Sequence, residues 1–263
     1  MSETRAIEAN GVLHRVRLDE ADGSPAVVFS NSLGTDLTTW DAVVARLPRD
    51  FRVVRYDTRG HGLSALPPGP WRIEDCADDL AGILDALGIE GATVVGLSVG
   101  GLIAQALAAR RPDLASRLVL MDTAARIGTD DLWNTRIETV ESKGIEAIAD
   151  GVIERWFGPR YRAEAAELGL WRAMLTRTPA AGYARLSAAI RDADLTESTR
   201  GLRLPVLAMA GSEDGATPPD LVEATAALVE GARFERLDGA GHLPCIDAPD
   251  TTARLIADFA AGG

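Results

Sequence analysis

Short apolar runs alternate with stretches of helical periodicity through the first half of the chain. The apolar runs are bounded by turn-forming residues and predict strands at 12–18, 26–30, 51–56, 92–95 and 117–121. Apolar residues at helical spacing between these runs predict helices at 37–47, 73–87 and 102–110. Strands that alternate with helices form a parallel sheet covered on both faces, so we predict an α/β fold.

This alternation is interrupted in the middle of the chain. Between about residues 125 and 200 the pattern predicts only helical segments, at 130–142, 145–157, 160–177 and 180–191. Strand patterns return at 205–210 and 233–237, with helices at 219–230 and 249–261. We therefore predict a core in two parts, residues 1–124 and 201–263, interrupted by an all-helical cap (a lid) at residues 125–200. A second independent domain is the alternative to a cap.

Composition and charge narrow the class of protein. The 263 residues are 46% hydrophobic, which is enough to bury one large core. The net charge of −12 argues against nucleic acid or an anionic membrane as a partner. Two cysteines, Cys76 and Cys245, are too few for a disulfide framework. Residues 1–10 lack the apolar core of a signal peptide and no run has the length of a membrane span, so we expect a cytoplasmic protein. The oligomeric state is left open, a homo-oligomer included.

A serine between glycines follows one of the buried strands. Residues 96–100 read Gly-Leu-Ser-Val-Gly, between the predicted strand 92–95 and the helix 102–110. The Gly-x-Ser-x-Gly turn requires this strand–turn–helix context, because the turn holds its serine in a strained conformation above the sheet. We interpret Ser98 as the nucleophile of an acyl-transfer reaction. The N–H group of Val99 is then expected to donate to an oxyanion.

A serine hydroxyl needs a base, and the chain offers three histidines. His14 lies in a predicted edge strand, where we expect a surface position. His61 lies between glycines in a tight turn, where we expect a structural role. His242 follows the strand 233–237 in a glycine-rich loop, and loops at the carboxyl ends of strands carry ligand chemistry in α/β sheets. We assign His242 as the general base and acid.

The base in turn needs a carboxylate that fixes its tautomer. The loop after the strand 205–210 offers Glu213 and Asp214, and the residues alone do not choose between them. Either one gives the chain order of nucleophile, acid and histidine that accompanies this turn. Asp238 and Asp57 are weaker choices, because the first immediately precedes the histidine loop and the second precedes the serine.

A second oxyanion donor is expected from the loop after the strand 26–30. This loop reads Asn-Ser-Leu-Gly at 31–34, and we predict that the N–H group of Leu33 acts together with that of Val99. The chain shows no metal-ligand spacing, and the chemistry needs neither a metal nor an organic cofactor.

Taken together, these residues resemble the α/β-hydrolase family over nearly the whole chain. The resemblance includes Asp-Thr-Arg-Gly-His-Gly-Leu-Ser at 57–64, the serine turn, and the loops at 211–215 and 239–242. It implies an α/β-hydrolase fold, with a mostly parallel central sheet flanked by helices and an all-helical cap. Most relatives have His-Gly where this chain has Asn31-Ser32.

In that departure the chain is similar to the enol-lactone hydrolases of aromatic catabolism, such as the 3-oxoadipate enol-lactonases of the β-ketoadipate pathway. Asn-Ser-Leu-Gly-Thr-Asp at 31–36 carries the similarity, as do segments in or beside the cap at 122–128, 155–157 and 190–195. The resemblance implies that the acid is Asp214 rather than Glu213. It also implies that the substrate is a small lactone with one free carboxylate.

The same resemblance suggests residues that contact the substrate. Ser32 belongs to the shared loop. Arg126, at the entrance of the cap, and Arg191, in a cap motif, are candidates for a bidentate contact with the carboxylate. For each arginine a surface salt bridge is the alternative. Trp133 is a candidate for an apolar wall, with packing inside the cap as its alternative.

Two other functions fit the same residues or the same fold. A general carboxylesterase or a cofactor-free perhydrolase has the same triad and prefers neutral esters. A non-catalytic ligand receptor on this fold belongs to a different class, and an intact triad counts against it.

Overall fold

The computed structural model describes residues 2–21, 25–163 and 165–262. Eight strands form one sheet in the order β1-β2-β4-β3-β5-β6-β7-β8. The strands are, in chain order, β1 Ser2–Ala9, β2 Val12–Asp19, β3 Ala26–Ser30, β4 Arg52–Tyr56, β5 Ala92–Leu97, β6 Ala115–Met121, β7 Val206–Gly211 and β8 Arg233–Leu237. The β1–β2 and β2–β4 pairs are antiparallel, and every other pair is parallel. The predicted α/β class with a mostly parallel sheet is confirmed.

Burial along the strands follows from their place in the sheet. Every residue of β5 and β7 is buried, because helices cover both faces of the parallel part of the sheet. In β2 fully buried residues alternate with more exposed ones, since one face of this antiparallel part is open. Continuous apolar runs therefore mark the centre of the sheet, where the serine turn follows β5.

The N-terminal hairpin is a feature that the sequence pattern did not predict. Predicted strands begin at residue 12, whereas β1 precedes it and pairs with β2 along its whole length. The turn is made by Asn10 and Gly11, whose φ angles are 50° and 71°. Both central residues of a type I′ hairpin turn need positive φ, and an Asn-Gly dipeptide is the strongest short signal for it.

Helices cover the sheet and fill the segment between β6 and β7. The helices are α1 Asp41–Val44, α2 Ile73–Leu87, α3 Val99–Arg110, α4 Asp130–Lys143, α5 Glu146–Trp156, α6 Pro159–Arg162, α7 Ala165–Arg177, α8 Ala180–Asp192, α9 Thr196–Arg200, α10 Pro219–Ala226, α11 Pro244–Asp247 and α12 Pro249–Ala260. The helix predicted at 37–47 is instead a 3-10 turn, Leu37–Trp40, followed by the single turn of α1. Pro48 disfavours helical backbone at Leu47, the last residue of the predicted helix.

The predicted cap, residues 125–200, contains α4 to α9 and loops. Its described residues, 125–163 and 165–200, contain no strand. Several hydrogen bonds join the cap to the core, among them one from the Thr199 hydroxyl to the Gln105 side chain at 2.7 Å. The Leu243 N–H donates to the Trp156 carbonyl at 3.0 Å, and the Arg185 guanidinium donates to the Pro67 carbonyl at 2.8 Å. Among the helices described, none is both long and apolar enough to cross a membrane.

A buried ion pair connects the loop after β4 to α2. Arg59 donates from Nε and one terminal nitrogen to the two carboxylate oxygens of Asp79, at 2.7 and 2.6 Å. The Nε2 atom of His14 lies 3.5 Å from Asp79. His14 is completely buried, so the surface position predicted for it is wrong. Its strand, β2, is not at the edge, because β1 and β4 flank it.

Candidate active site

Ser98 lies in a sharp turn between β5 and α3. Its backbone has φ 56° and ψ −118°, a conformation with positive φ that residues other than glycine rarely adopt. The Ser98 N–H donates to the Met121 carbonyl at 2.9 Å, and the Thr123 hydroxyl donates to the Ser98 carbonyl at 2.6 Å. These bonds hold the strained residue at the carboxyl end of the sheet. Strained backbone of this kind is commonly found at functional sites.

Three glycines let the neighbouring backbone approach this turn. A Cβ atom on Gly96 would lie 2.3 Å from the carbonyl oxygen of Gly100. A Cβ on Gly100 would lie 2.2 Å from the Ser30 carbonyl oxygen, and one on Gly101 would lie 2.4 Å from the Thr123 methyl group. Real side chains do not tolerate such distances, so the turn requires glycine at all three positions.

His242 and Asp214 form a buried hydrogen-bonded pair. The His242 Nδ1 atom lies 2.9 Å from Oδ2 of Asp214. Asp214 also accepts from the N–H groups of Ala216 and Thr217, at 2.7 and 3.1 Å, and from the Thr217 hydroxyl at 2.6 Å. Burial alone raises the pKa of Asp214, but the His242 charge and these donors outweigh burial and lower the pKa below its ordinary value. An ionised Asp214 orients the imidazole so that Nε2 is left to act as a base.

The other candidate acids and bases have different surroundings. Glu213 and Asp238 are exposed. Asp57 is buried but accepts backbone N–H groups of two loops. His61 is also buried, and burial lowers its pKa to about 4. Of the acids weighed from the sequence, only Asp214 is brought within hydrogen-bonding distance of His242.

Ser98 and His242 line the same cavity, of about 90 Å³, between the sheet and the cap. Its walls are mainly apolar and aromatic. The apolar and aromatic lining residues are Leu33, Ile127, Leu132, Trp133, Val152, Trp156 and Tyr183. A small, largely apolar cavity next to a serine and a histidine is a suitable place for a small ester or lactone.

The predicted oxyanion donors lie on two adjacent segments. Leu33 lines the cavity together with Ser98. Val99 is the first residue of α3, and the N–H groups of a first helical turn have no acceptor within the helix. Gly100 packs against the backbone of Ser30, which brings the loop after β3 close to the serine turn. We retain the N–H groups of Leu33 and Val99 as the proposed oxyanion donors.

Asn31 and Ser32, adjacent residues of the loop after β3, differ in what they contact. The Asn31 side chain donates to the Tyr56 carbonyl at 2.7 Å and accepts from the Trp40 indole at 2.8 Å. Asn31 therefore fixes the loop. The buried Ser32 hydroxyl lines the cavity and has no hydrogen-bond partner among the described residues. A buried hydroxyl without a partner is costly, so Ser32 is suited to a polar atom of a ligand.

Two guanidinium groups from the cap also line the cavity. They belong to Arg136 on α4 and Arg155 on α5. The Arg136 guanidinium lies over the Trp133 ring, 5.1 Å from its centre. Burial, and then the charge of Arg136, lower the pKa of Arg155. Over the part of the chain that the structure describes, neither arginine forms a salt bridge with a carboxylate. Arg136 forms a side-chain hydrogen bond with Tyr183, and without a carboxylate salt bridge the two guanidinium groups can bind an anion.

In the described structure, one group of three side chains lies as close together as the ligands of a metal ion would. The ligand atoms of Asp122, Asp214 and His242 lie within 4.8 Å of one another. The His242 nitrogen that faces this group already bonds to Asp214, as in a triad. A metal ion would have to displace that bond.

Comparison with protein-family models matches residues 25–249 to the alpha/beta hydrolase fold. The chain belongs to the α/β-hydrolase family. It is 35% identical to 3-oxoadipate enol-lactonase 1 of Acinetobacter baylyi over 263 residues, 98% of each chain. It is 38% identical to 3-oxoadipate enol-lactonase 2 of the same organism over 194 residues, 73% of each chain. The crystal structure of the enol-lactonase from Burkholderia xenovorans LB400 matches with a TM-score of 0.94 and 39% identity, covering 98% of this chain and 100% of that one. The predicted resemblance is confirmed.

In this α/β hydrolase, the arginines that the sequence suggested for the carboxylate do not line the cavity. The Arg126 side chain is 54% exposed, with Asp130 and Asp194 at 3.6 and 3.7 Å. Arg191 pairs with Asp192 at 2.7 Å. Both arginines lie on the surface of the cap and are already paired with acidic neighbours. Both arginines therefore form surface salt bridges, which was the alternative given for each.

The arginines that do line the hydrolase cavity were missed, although the sequence carries a signal for one of them. Arg136 lies three residues after Trp133, and residues at this spacing share a helix face. Trp133 lines the cavity, and its indole N–H donates to the Ile127 carbonyl at 2.7 Å. Arg155 directly precedes Trp156, and only the packing of the cap determines that both face the cavity.

Proposed function

We propose that this hydrolase opens a small enol-lactone with one carboxylate, through an acyl intermediate on Ser98. The substrate that the names of its relatives suggest is 3-oxoadipate enol-lactone, with 3-oxoadipate as product. The observation that carries the proposal is the presence of two guanidinium groups without carboxylate partners in the cavity of the serine and the histidine. We also propose a cytoplasmic location, which the two buried, unpaired cysteines support.

In the proposed reaction, His242 takes the proton of the Ser98 hydroxyl as its oxygen attacks the lactone carbonyl. The N–H groups of Leu33 and Val99 bind the resulting oxyanion, and such donors contribute roughly 3 kcal/mol each. Collapse of the intermediate breaks the ring C–O bond. The leaving oxygen departs as an enol that receives the proton from His242 and tautomerises to a ketone. The released group stays attached to the acyl chain, because the ester was cyclic.

Deacylation uses the same groups in reverse order. His242 takes a proton from water, and the oxygen of that water attacks the acyl carbonyl on Ser98. Collapse returns the proton to the Ser98 oxygen and releases a second carboxylate. Asp214 remains ionised throughout and stabilises the imidazolium that forms in each half of the reaction.

Arg136 and Arg155 are proposed to bind the carboxylate that the substrate already carries. A guanidinium and a carboxylate form paired, charge-assisted hydrogen bonds. The anion also relieves the repulsion between the two arginines, which contributes to the lowered pKa of Arg155. In a protein with a net charge of −12, this local positive charge is what admits an anionic substrate.

The decisive experiment compares a carboxylated enol-lactone with a neutral ester of similar size, such as 4-nitrophenyl acetate. Arg155→Met is expected to lower kcat/KM on the carboxylated lactone about tenfold to hundredfold, as for the loss of a charged hydrogen bond. The value on the neutral ester should change less than about threefold. Arg191→Met removes a guanidinium from the surface of the cap and serves as the matched control. Ser98→Ala should abolish both activities.

Two results would contradict the proposal. If the parent enzyme has the higher kcat/KM on the neutral ester, and Arg155→Met lowers both values equally, the enzyme is a general carboxylesterase or a perhydrolase. If Ser98→Ala retains lactone hydrolysis near the parent rate, the covalent mechanism is wrong.

A further inference from the structure

Asp122 is a buried carboxyl group that the proposed mechanism does not use. It directly follows β6, and its φ angle of 44° makes it one of the few non-glycine residues with positive φ in the described chain. Its Oδ1 atom accepts the N–H of Gly211, the last residue of β7, at 2.8 Å. Asp122 is thus tied to the end of the strand from which the loop carrying Asp214 begins.

The second oxygen of Asp122 distinguishes this group from an ordinary structural aspartate. Oδ2 is buried and has no hydrogen-bond partner among the described residues. The Asp122 carboxyl lies within 4.8 Å of the ligand atoms of Asp214 and His242. Two carboxylates this close, both buried, do not both ionise readily, because each charge disfavours the other.

The hydrogen bonds determine which of the two carboxyls keeps a proton. Asp214 accepts from two backbone N–H groups, the Thr217 hydroxyl and His242, all of which favour its charged form. Asp122 accepts from the Gly211 N–H. A proton on Oδ2 removes the repulsion and supplies the missing donor. The excess proton therefore belongs on Asp122.

We propose that Asp122 is a neutral carboxylic acid in the working enzyme and that its Oδ2–H group donates to the Asp214 carboxylate. Asp122 is then a positioning residue that acts on His242 through Asp214. The proposal rests on the triad assigned above but not on the identity of the lactone. Two side chains of α11, Cys245 and Asp247, also face the cluster of Asp122, Asp214 and His242.

The electrostatics of these neighbours agree with a neutral Asp122. Burial, followed by the charges of Asp214 and Asp247, raises the pKa of Asp122 well above its ordinary value. The pKa of Asp247 is raised by burial to about 6, so Asp247 is ionised at pH 8. Burial likewise raises the pKa of the Cys245 thiol, which leaves it uncharged.

A neutral Asp122 has a consequence for catalysis. A second negative charge beside His242 would favour the charged imidazolium over the neutral base. More of the enzyme would then lack a free base at neutral pH. The proton on Asp122 keeps a single net negative charge on the two carboxyls and leaves His242 as a base.

The test uses two substitutions with opposite expectations. Asp122→Asn is neutral, has nearly the same shape, and keeps an acceptor for Gly211 and a donor for Asp214. It should retain at least about a third of kcat, and the acidic limb of the pH profile of kcat/KM should move by less than about 0.3 unit. Asp122→Ala removes both bonds and should lower kcat about tenfold or more while KM changes less than about threefold.

The infrared spectrum provides a readout that does not depend on activity. At pH 8 the parent should show the carbonyl stretch of a buried carboxylic acid, and Asp122→Asn should lack this band. Asp247→Asn should retain it. This measurement needs only folded protein, and the parent spectrum alone is informative if the alanine variant does not fold.

Three results would overturn the proposal. They are a shift of the acidic limb to lower pH by a unit or more in Asp122→Asn, the absence of the carboxylic acid band in the parent, and full activity of a folded Asp122→Ala variant. All pH profiles are measured on 4-nitrophenyl acetate with Ser98→Ala as the blank. An active Ser98→Ala variant would refute the proposed mechanism. If Ser98→Ala is inactive but the pH profile of Asp122→Asn is shifted, only the role of Asp122 is refuted.

Discussion

The buried pair of Arg59 and Asp79 allows a stability prediction with a matched control. Asp79→Asn keeps the size of the side chain but leaves the Arg59 guanidinium in the core without its counter-charge. In the native protein Asp79 is 1% exposed and binds Arg59 through both carboxylate oxygens, at 2.7 and 2.6 Å. We therefore expect a much larger cost than for a surface pair.

The magnitude follows from the burial of the pair. Removing one partner of a buried ion pair costs about 3–5 kcal/mol, because the remaining charge is desolvated and uncompensated. A domain has a free energy of unfolding of roughly 5–15 kcal/mol, so the substitution removes about a third of it. Asp78, the preceding residue on α2, pairs with Arg110 at 2.9 Å, but both side chains are more than 40% exposed. Asp78→Asn should cost at most about 1 kcal/mol.

The assay is urea unfolding of the parent and both variants at pH 7, followed by circular dichroism. A third variant, Arg59→Met combined with Asp79→Leu, removes both charges and should recover most of the loss, since apolar side chains can replace a buried pair at little cost. If Asp79→Asn and Asp78→Asn lower the free energy of unfolding equally, the burial of the pair does not determine its contribution. The same conclusion follows if the double variant is no more stable than Asp79→Asn.

Three further predictions concern pH dependence and the serine turn. The folded-state pKa of His61, about 4, lies below its ordinary value of 6.5. Between these pH values the unfolded chain binds more protons than the folded one. About 3 kcal/mol of the free energy of unfolding is therefore lost as pH falls through this window. Urea unfolding at pH 7 and pH 5 should show a smaller loss for His61→Gln. Gly101→Ala places a Cβ atom 2.4 Å from both the methyl and the hydroxyl of Thr123 and should lower kcat at least tenfold in steady-state assays. Thr217→Val removes a donor to Asp214 and should lower kcat about tenfold, with little change in KM, in steady-state assays.

The central sheet was predictable because parallel strands leave a strong signal. Strands buried on both faces consist of continuous apolar residues, and β5 and β7 read this way in the sequence. β1 carries no such run, because it lies at the edge of the sheet and pairs only with β2. Its signal is confined to the turn, where Asn10 and Gly11 supply the two positive φ angles. Periodicity alone misses a strand of this kind, and turn chemistry detects it.

The histidines show the same dependence on topology. A surface position for His14 followed from treating β2 as an edge strand, and the unpredicted β1 makes that strand internal. The structural role expected for His61 agrees with its burial and with the Arg59 carbonyl 3.1 Å from its Nδ1 atom. The choice of His242 depended on its place after a late strand, and it is the histidine that lies beside an acidic side chain at the cavity.

The residues proposed to bind the substrate were less predictable than the proposed nucleophile, for a physical reason. Ser98 is positioned by local geometry, because the strand, the glycines and the helix lie within a short stretch of sequence. Arg136 and Arg155 are positioned by the rotation of two cap helices about their axes, which long-range packing decides. Trp133 and Trp156, on the same two helices, are buried and line the same cavity as the two arginines. The proposed nucleophile therefore has a local sequence signal, whereas the proposed carboxylate-binding arginines depend on the packing of the cap.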